Sequence, residues 1–404
     1  MKHLLFVDDE PRLLDGLRRT LRPMREECNM AFVESGEAAL QELAKGPVDV
    51  VVTDMRMPGM DGAQLLAEVR KLYPAVVRIV LTGQSGKAST LRSVGQAHQC
   101  LAKPCEADEL KHLIMRALAL REMLSSESVR VLVGRIDALP SLPIVYTDLV
   151  SEIESPTSSM ESVAKIIARD MAMTTKVLQL VNSAFFGLSR TVSHPAQAIG
   201  LLGLDTVKSL VLGVQVFSAF RGARGALGMI EQLWKHSVAT GHLARAIAQS
   251  ERVPLHLIEI AFTAGLLHDV GVLVLAANLG EPYQKLLQAA GSSGTPLSVM
   301  EREQLGATHA EVGAYLLGLW GLGDGIVEAV AFHHAPTQCL NRAFGPLTAV
   351  HVASGFDQES PAGSGPERPS VVDGDYLASL GMADRLPHWR ELAHSSLQTE
   401  AVHD

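Results

Sequence analysis

The chain has 404 residues, of which 47% are hydrophobic and 20% charged, with a formal net charge of −9. That length exceeds one ordinary core and predicts two or three domains, and the composition excludes a disordered chain. The acidic balance, with no basic run to track a phosphate backbone, argues against nucleic acid as a partner.

The first 120 residues alternate short apolar runs with helical spacing. KHLLFV, VDVVVTD, VRIVLTG and QCLAK read as strands, with CNMAFV a weaker fifth; Leu13, Leu14, Leu17 and Leu21 mark a helix between them. Runs that are apolar throughout predict an α/β doubly wound five-stranded parallel sheet, buried on both faces. Leu110, Leu113, Ile114, Ala117, Leu120 and Leu124 predict one helix over 106–124, and SSES at 125–128 interrupts it. The prolines of LPSLP at 139–143 punctuate the start of a second domain. Beyond them helical period dominates and strand signals are absent, so the second domain is expected to be all-α. LVLGVQVFSAF at 210–220 is too short to span a bilayer and reads as a buried helix. ESPAGSGPERPS at 359–370 reads as a loop, and the tail after it as closing helices. The expected division is 1–122, a linker helix over 123–138, a helical domain over 139–355, and a loop with closing helices over 356–404.

Cys28, Cys100, Cys105 and Cys339 form no CxxC pair and read as reduced thiols rather than a disulfide frame or a zinc knuckle. The N-terminal run LLFV is shorter than a signal peptide needs and meets Asp8, Asp9 and Glu10 at once. A cytoplasmic location without membrane insertion is expected.

Asp8 and Asp9 end the first strand and Asp54 the third. A doubly wound sheet gathers the carboxyl ends of its strands at one crevice. Crowded carboxylates need a cation, and oxygen-only ligands at an open edge suit Mg²⁺. Thr82 ends the fourth strand and Lys103 the fifth, which adds a hydroxyl and an ammonium. This inventory fits phosphoryl transfer. Any one of these residues alone reads as an ordinary strand-end polar group; the full set in this order does not.

VDDE, TDMRMPGMDG, LTG and KP in this order resemble the response-regulator receiver domain. The resemblance implies that Asp54 accepts a phosphoryl group from a sensor histidine kinase. It implies that Asp9, Asp54 and the backbone carbonyl of Arg56 hold Mg²⁺, with Asp8 acting through water. Lys103 would pair with the phosphoryl oxygens and Thr82 would move to bond one of them. Receivers usually carry an aromatic residue three positions before the lysine; here Cys100 stands there, which puts the usual coupling in doubt.

The second domain holds His236, His268–Asp269, His309 and His333–His334. Imidazoles with a carboxylate suit Fe, Mn or Zn, provided that separate helices bring them together. Histidines in apolar helices are also often simply packed and hydrogen-bonded, and the adjacent HD and HH pairs are what favour a metal site. LPSLP, ARDMAMTTKVLQLVNSAFFGL, SHPAQAIGLLGLDTVKSL, AGLLHDVG and THAEVGAYLLGLWGL resemble the HDOD branch of the HD phosphohydrolase superfamily. That branch is an all-helical signalling domain without an established common reaction. Against the catalytic HD-GYP relatives, which degrade cyclic di-GMP, Val272 stands in place of lysine, the GYP loop is missing, and Ser354 stands in place of the closing aspartate. The expected protein is a response regulator with a non-catalytic HDOD output domain, a vestigial metal site and an unknown downstream protein partner, with a homodimer as one assembly. The rival is a phosphorylation-gated metal phosphohydrolase acting on a nucleotide or cyclic dinucleotide.

Overall fold

The computed structural model describes residues 1–82, 96–124, 126–136, 139–141, 143–155, 157–182, 191–203, 207, 218–219, 224–359 and 372–400. Most of NSAFFG, most of the 210–220 segment and nearly all of the 359–370 loop lie outside these residues. The chain divides into two compact units: 1–137 with the short stretches 179–191 and 318–321, and the remainder.

The first unit is built on five parallel strands, β1 (Lys2–Val7), β2 (Cys28–Val33), β3 (Val50–Asp54), β4 (Val77–Thr82) and β5 (Gln99–Ala102), in the order β2-β1-β3-β4-β5. Every residue of β3 and β4 is buried, as the apolar runs require. Helices α1 (Pro11–Thr20), α2 (Gly36–Lys45), α3 (Gly62–Leu72) and α4 (Ala107–Met123) flank the sheet, and α5 (Glu127–Gly134) follows. The order reverses beside β1, so the ends of β1 and β3 are neighbours: Val7 pairs with Thr53. One polar residue breaks the apolar run of β4. Arg78 is 1% exposed, and its guanidinium donates to the carbonyls of Gln96 at 2.7 Å and Gly134 at 3.0 Å. Two carbonyl acceptors offset the cost of burying that charge.

The second unit is helical: α6 (Pro143–Glu154), α7 (Met160–Ile167), α8 (Met171–Val181), α9 (Pro195–Leu202), α10 (Arg224–Ser250), α11 (Leu255–Leu267), α12 (Val270–Leu279), α13 (Glu281–Ser293), α14 (Leu297–Leu305), α15 (His309–Leu319), α16 (Asp324–Phe332) and α17 (Pro346–Glu359). The tail closes as α18 (Gly374–Ser379) and α19 (Leu386–Glu400). The domain is mostly helical, as expected, with one minor addition. Pro140–Ser141 and Ser218–Ala219 pair as two-residue parallel strands, too short to leave a periodic signal. Leu255–Leu279 is long and apolar enough to cross a membrane, but 89% of its most apolar window is buried inside the protein. It is a core element, which is why α11 and α12 are apolar all round.

Candidate functional site

Two clusters of chemically able side chains stand out, one in each unit. The first is at the carboxyl edge of the sheet. Asp8 and Asp54 are buried there at 2% and 8% exposure, while Asp9 beside them is exposed. Lys103, just beyond β5, bridges the two buried acids: its ammonium lies 2.7 Å from Asp8 Oδ2 and also contacts Asp54 Oδ1. Burial alone would lower the Lys103 ammonium, but hydrogen bonds to Asp54 and Asp8 outweigh it and raise the pKa. The backbone N–H of Arg56 donates to Asp54 Oδ2 at 2.6 Å and that of Glu10 to Asp8 Oδ1 at 3.0 Å, so both carboxylates are held in place. Thr82 is buried at the end of β4. The loop after β3 returns so tightly that a Cβ at Gly62 would lie 2.1 Å from the Asp54 carbonyl oxygen; only glycine fits there. Cys100 lies on β5 opposite Val80 and packs against the core, where burial pushes its thiol up to about 12.

The second cluster brings together all six residues singled out in the helical domain. His236 comes from α10, His268 and Asp269 from the junction of α11 and α12, His309 from the start of α15, and His333 and His334 from the end of α16. His236, His268, His309 and His333 are at most 1% exposed and Asp269 2%. The ring positions follow from helix ends. The last turn of a helix leaves carbonyls without intrahelical partners. The Nδ1 of His268 satisfies the Gly265 carbonyl at 2.7 Å, and the Nδ1 of His333 satisfies that of Val330 at 2.8 Å. His309 Nδ1 faces Glu301 Oε2 at 2.7 Å. Each Nδ1 therefore carries the proton, and each Nε2 presents a bare lone pair to Asp269. The closest approach of the helices lies at Gly271, where a Cβ would stand 1.9 Å from the His309 carbonyl oxygen.

Asp269 sits between two sets of imidazoles. Its Oδ2 is 3.3 Å from His268 Nε2 and 3.7 Å from His236 Nε2; its Oδ1 is 3.5 Å from His309 Nε2 and 3.6 Å from His333 Nε2. The two Nε2 atoms of His236 and His268 are 3.1 Å apart, and those of His309 and His334 are 2.9 Å apart. Burial pushes His268 down to about 3 and His334 well below the usual imidazole range. Burial would raise Asp269, yet the imidazoles beginning with His268 hold its carboxyl well below the usual range. Among the described residues His333 Nε2 has no hydrogen-bond partner. Lone pairs converging on a carboxylate repel unless a cation sits among them, so the donor set fits a metal ion. Ser354 Oγ lies 3.5 Å from His268 Nε2, on the rim of this cluster.

Three supporting residues carry no sequence signal of their role. Glu301 is fully buried and accepts from the His309 backbone, its ring and the Tyr283 hydroxyl. In EREQL it reads as part of a solvated charge run. His351 Nδ1 meets the His333 carbonyl at 2.7 Å, and its Nε2 accepts from the Asp373 N–H at 2.8 Å. Asp170 takes the Trp234 indole N–H at 2.9 Å, two residues before His236 on the same helix.

Residues 4–115 match the response regulator receiver domain, and residues 139–336 match the HDOD domain. The chain belongs to the response regulators that carry a receiver domain and an HDOD domain. A protein from Treponema pallidum (strain Nichols), described only as an uncharacterized protein, is 30% identical over 200 residues, covering 50% of this chain and 38% of that protein. The hydrogenase transcriptional regulatory protein HoxA of Cupriavidus necator is 38% identical over 117 residues, 28% of this chain and 24% of HoxA. The chain thus spans well under half the length of these relatives. Among solved structures, the MmoQ response regulator from Methylococcus capsulatus str. Bath is 23% identical, with a TM-score of 0.48, over 63% of this chain and 98% of that one.

Proposed function

We propose that this response regulator is phosphorylated on Asp54 by a sensor histidine kinase and signals through a non-catalytic HDOD domain to a downstream protein. The observation that carries the proposal is the Lys103 ammonium bridging Asp8 and Asp54 at the carboxyl edge of the sheet. An incoming phosphoryl group needs cations on its oxygens and an oriented nucleophile, and this edge supplies both. The P–N bond of the phosphohistidine breaks as the P–O bond to Asp54 forms, and the histidine nitrogen keeps the electron pair. Asp9, Asp54 and the Arg56 carbonyl hold Mg²⁺, Asp8 acts through water, and Lys103 pairs with the phosphoryl oxygens. Thr82 closes on the modified aspartate. The added charge then biases the receiver surface.

Several further features belong to the same proposal. The protein acts in the cytoplasm without nucleic acid or membrane as its target, and a homodimer is one assembly it adopts. The histidine cluster holds an Fe, Mn or Zn ion. The cluster is not a hydrolase: five of its six residues are buried, and the lysine expected after HDVG is Val272, which is 1% exposed.

The test is direct. Acetyl phosphate with Mg²⁺ should modify the full chain once, and Asp54→Asn should abolish the label. Label that persists in that variant would overturn the acceptor. Hydrolysis of a cyclic dinucleotide that vanishes in His268→Ala would promote the phosphohydrolase in place of the binding module.

A further inference from the structure

The ligands around Asp269 form two unequal halves. One half has His309, His333, His334 and Asp269; the other has His236, His268 and the same aspartate. Ligands around a tetrahedral Zn²⁺ at about 2.0–2.1 Å stand roughly 3.3 Å from one another. In the first half His309 Nε2 lies 2.9 Å from His334 Nε2 and 3.5 Å from Asp269 Oδ1, and His333 Nε2 lies 3.6 Å from Asp269 Oδ1, distances that bracket that edge. It offers four strong donors, three imidazoles and a carboxylate oxygen. In the second half the separations of 3.1, 3.3 and 3.7 Å fit equally well, but there are only three such donors. The group at its rim is the neutral hydroxyl of Ser354.

Charge separates the halves further. Glu301 is fully buried and accepts three hydrogen bonds, from the His309 backbone, the His309 ring and Tyr283. It stands behind His309 and therefore serves the first half. One divalent ion there neutralises the two buried carboxylates, Asp269 and Glu301. A second ion would leave two uncompensated positive charges in an interior where unpaired charge is costly.

We infer that the helical unit holds one divalent transition-metal ion, in the half formed by His309, His333, His334 and Asp269, as a structural ion that ties the starts of α12 and α15 to the end of α16. This rests on reading the cluster as a metal site. Four protein donors close a tetrahedral shell and leave no position for a reacting water. Glu301 is a positioning residue: it fixes the His309 tautomer and ring, the arrangement in which a carboxylate behind the histidine sets its aim.

The full chain should be loaded with Zn²⁺, dialysed and assayed for metal. One ion per chain is expected in the wild type and in His236→Ala, and loss of the ion in His333→Ala. Ser354→Asp should raise the count to two, because it supplies the fourth strong donor and halves the excess positive charge. Glu301→Gln should weaken Zn²⁺ binding about 10–100-fold. Should His333→Ala fail to fold, Co²⁺ loaded into the wild type gives an independent measure: an intense tetrahedral ligand-field spectrum is expected. Two ions in the wild type, loss of the ion in His236→Ala, or a weak six-coordinate Co²⁺ spectrum would overturn the single closed site while leaving a metal-binding cluster. No bound ion in the wild type would overturn the metal reading as well.

Discussion

Both clusters are built around buried carboxylates, and they meet the same electrostatic problem in opposite ways. In the receiver the compensating cation is covalent: Lys103 reaches Asp8 and Asp54 from the end of β5. Its neighbour Asp9 faces solvent, so the edge is open to Mg²⁺ and a phosphoryl donor. In the helical unit no lysine or arginine among the described residues pairs with Asp269; bare imidazole nitrogens surround it instead. A site with its own cation on a solvent-facing edge suits ligands that come and go. A site enclosed by helix ends and lacking its own cation suits a resident ion.

The contrast breaks first at the backbone. Asp269 meets His309 because α12 and α15 approach at Gly271. A methyl there would overlap the His309 carbonyl oxygen, 1.9 Å away, and neither partner is a flexible side-chain tip. Gly271→Ala should therefore destabilise the helical unit by about 3 kcal/mol. The reporters are Trp234 and Trp389, both buried there, followed through a urea melt. Phosphorylation of Asp54 should survive in the same variant. A melt identical to wild type would mean that the two helices separate without cost.

Lys103→Met sharpens the other side. Without the ammonium, Asp8 and Asp54 repel each other, and only Mg²⁺ can relieve them. Phosphoryl uptake should slow about 10²-fold, the usual cost of one lost charge contact in such a reaction. Mg²⁺ affinity should rise about tenfold, because the competing cation is gone. Titration calorimetry and acetyl phosphate labelling measure the two effects separately. Weaker Mg²⁺ binding would show that Lys103 organises the acids rather than competing for them.

Much of this contrast is legible in the sequence, and the gaps have physical causes. The acidic edge is readable because a doubly wound sheet forces strand ends together, whatever the helices do. The six residues of the cluster are readable through the HD and HH pairs, but their division about Asp269 is not, since it depends on helix crossings. Glu301 is invisible because a buried glutamate and a solvated one look alike in EREQL. Arg78 is invisible for the converse reason: one charge in VRIVLT does not reveal that two carbonyls await it.

Burial without a partner ion gives a third, smaller effect. His98 is buried beside β4 and its Nδ1 accepts from the Arg78 N–H at 3.1 Å. Burial, with the Arg78 charge beside it, holds the ring well below the usual imidazole range. The unfolded chain takes up a proton near pH 6.5, while the folded one does not. Stability from this residue is thus full above about pH 6.5 and falls as the pH drops below it, by up to about 1.4 kcal/mol per unit. His98→Asn should flatten the urea-stability profile of the receiver between pH 7 and pH 5. A profile as steep as wild type would assign the acid sensitivity elsewhere.

The smallest expected effect concerns how phosphorylation leaves the open site. Cys100 stands three residues before Lys103, where receivers usually carry an aromatic ring, and it packs against the core from β5. Its thiol stays neutral, pushed up to about 12 by burial, so it contributes volume rather than charge. Lys103 holds the two buried acids without it. Cys100→Tyr should therefore leave the rate of Asp54 phosphorylation within about twofold, less than ~0.5 kcal/mol of barrier. A tyrosine on that strand adds a ring that can turn only if space opens as Thr82 moves, so the response beyond the pocket should change. Sedimentation of the full chain with and without beryllofluoride measures that response as the shift in dimer fraction. A shift different from wild type, with phosphorylation preserved, separates capture from coupling. An unchanged shift would mean that the signal leaves the pocket by a route that does not pass position 100. A tenfold fall in phosphorylation would mean that the small side chain is part of the pocket itself.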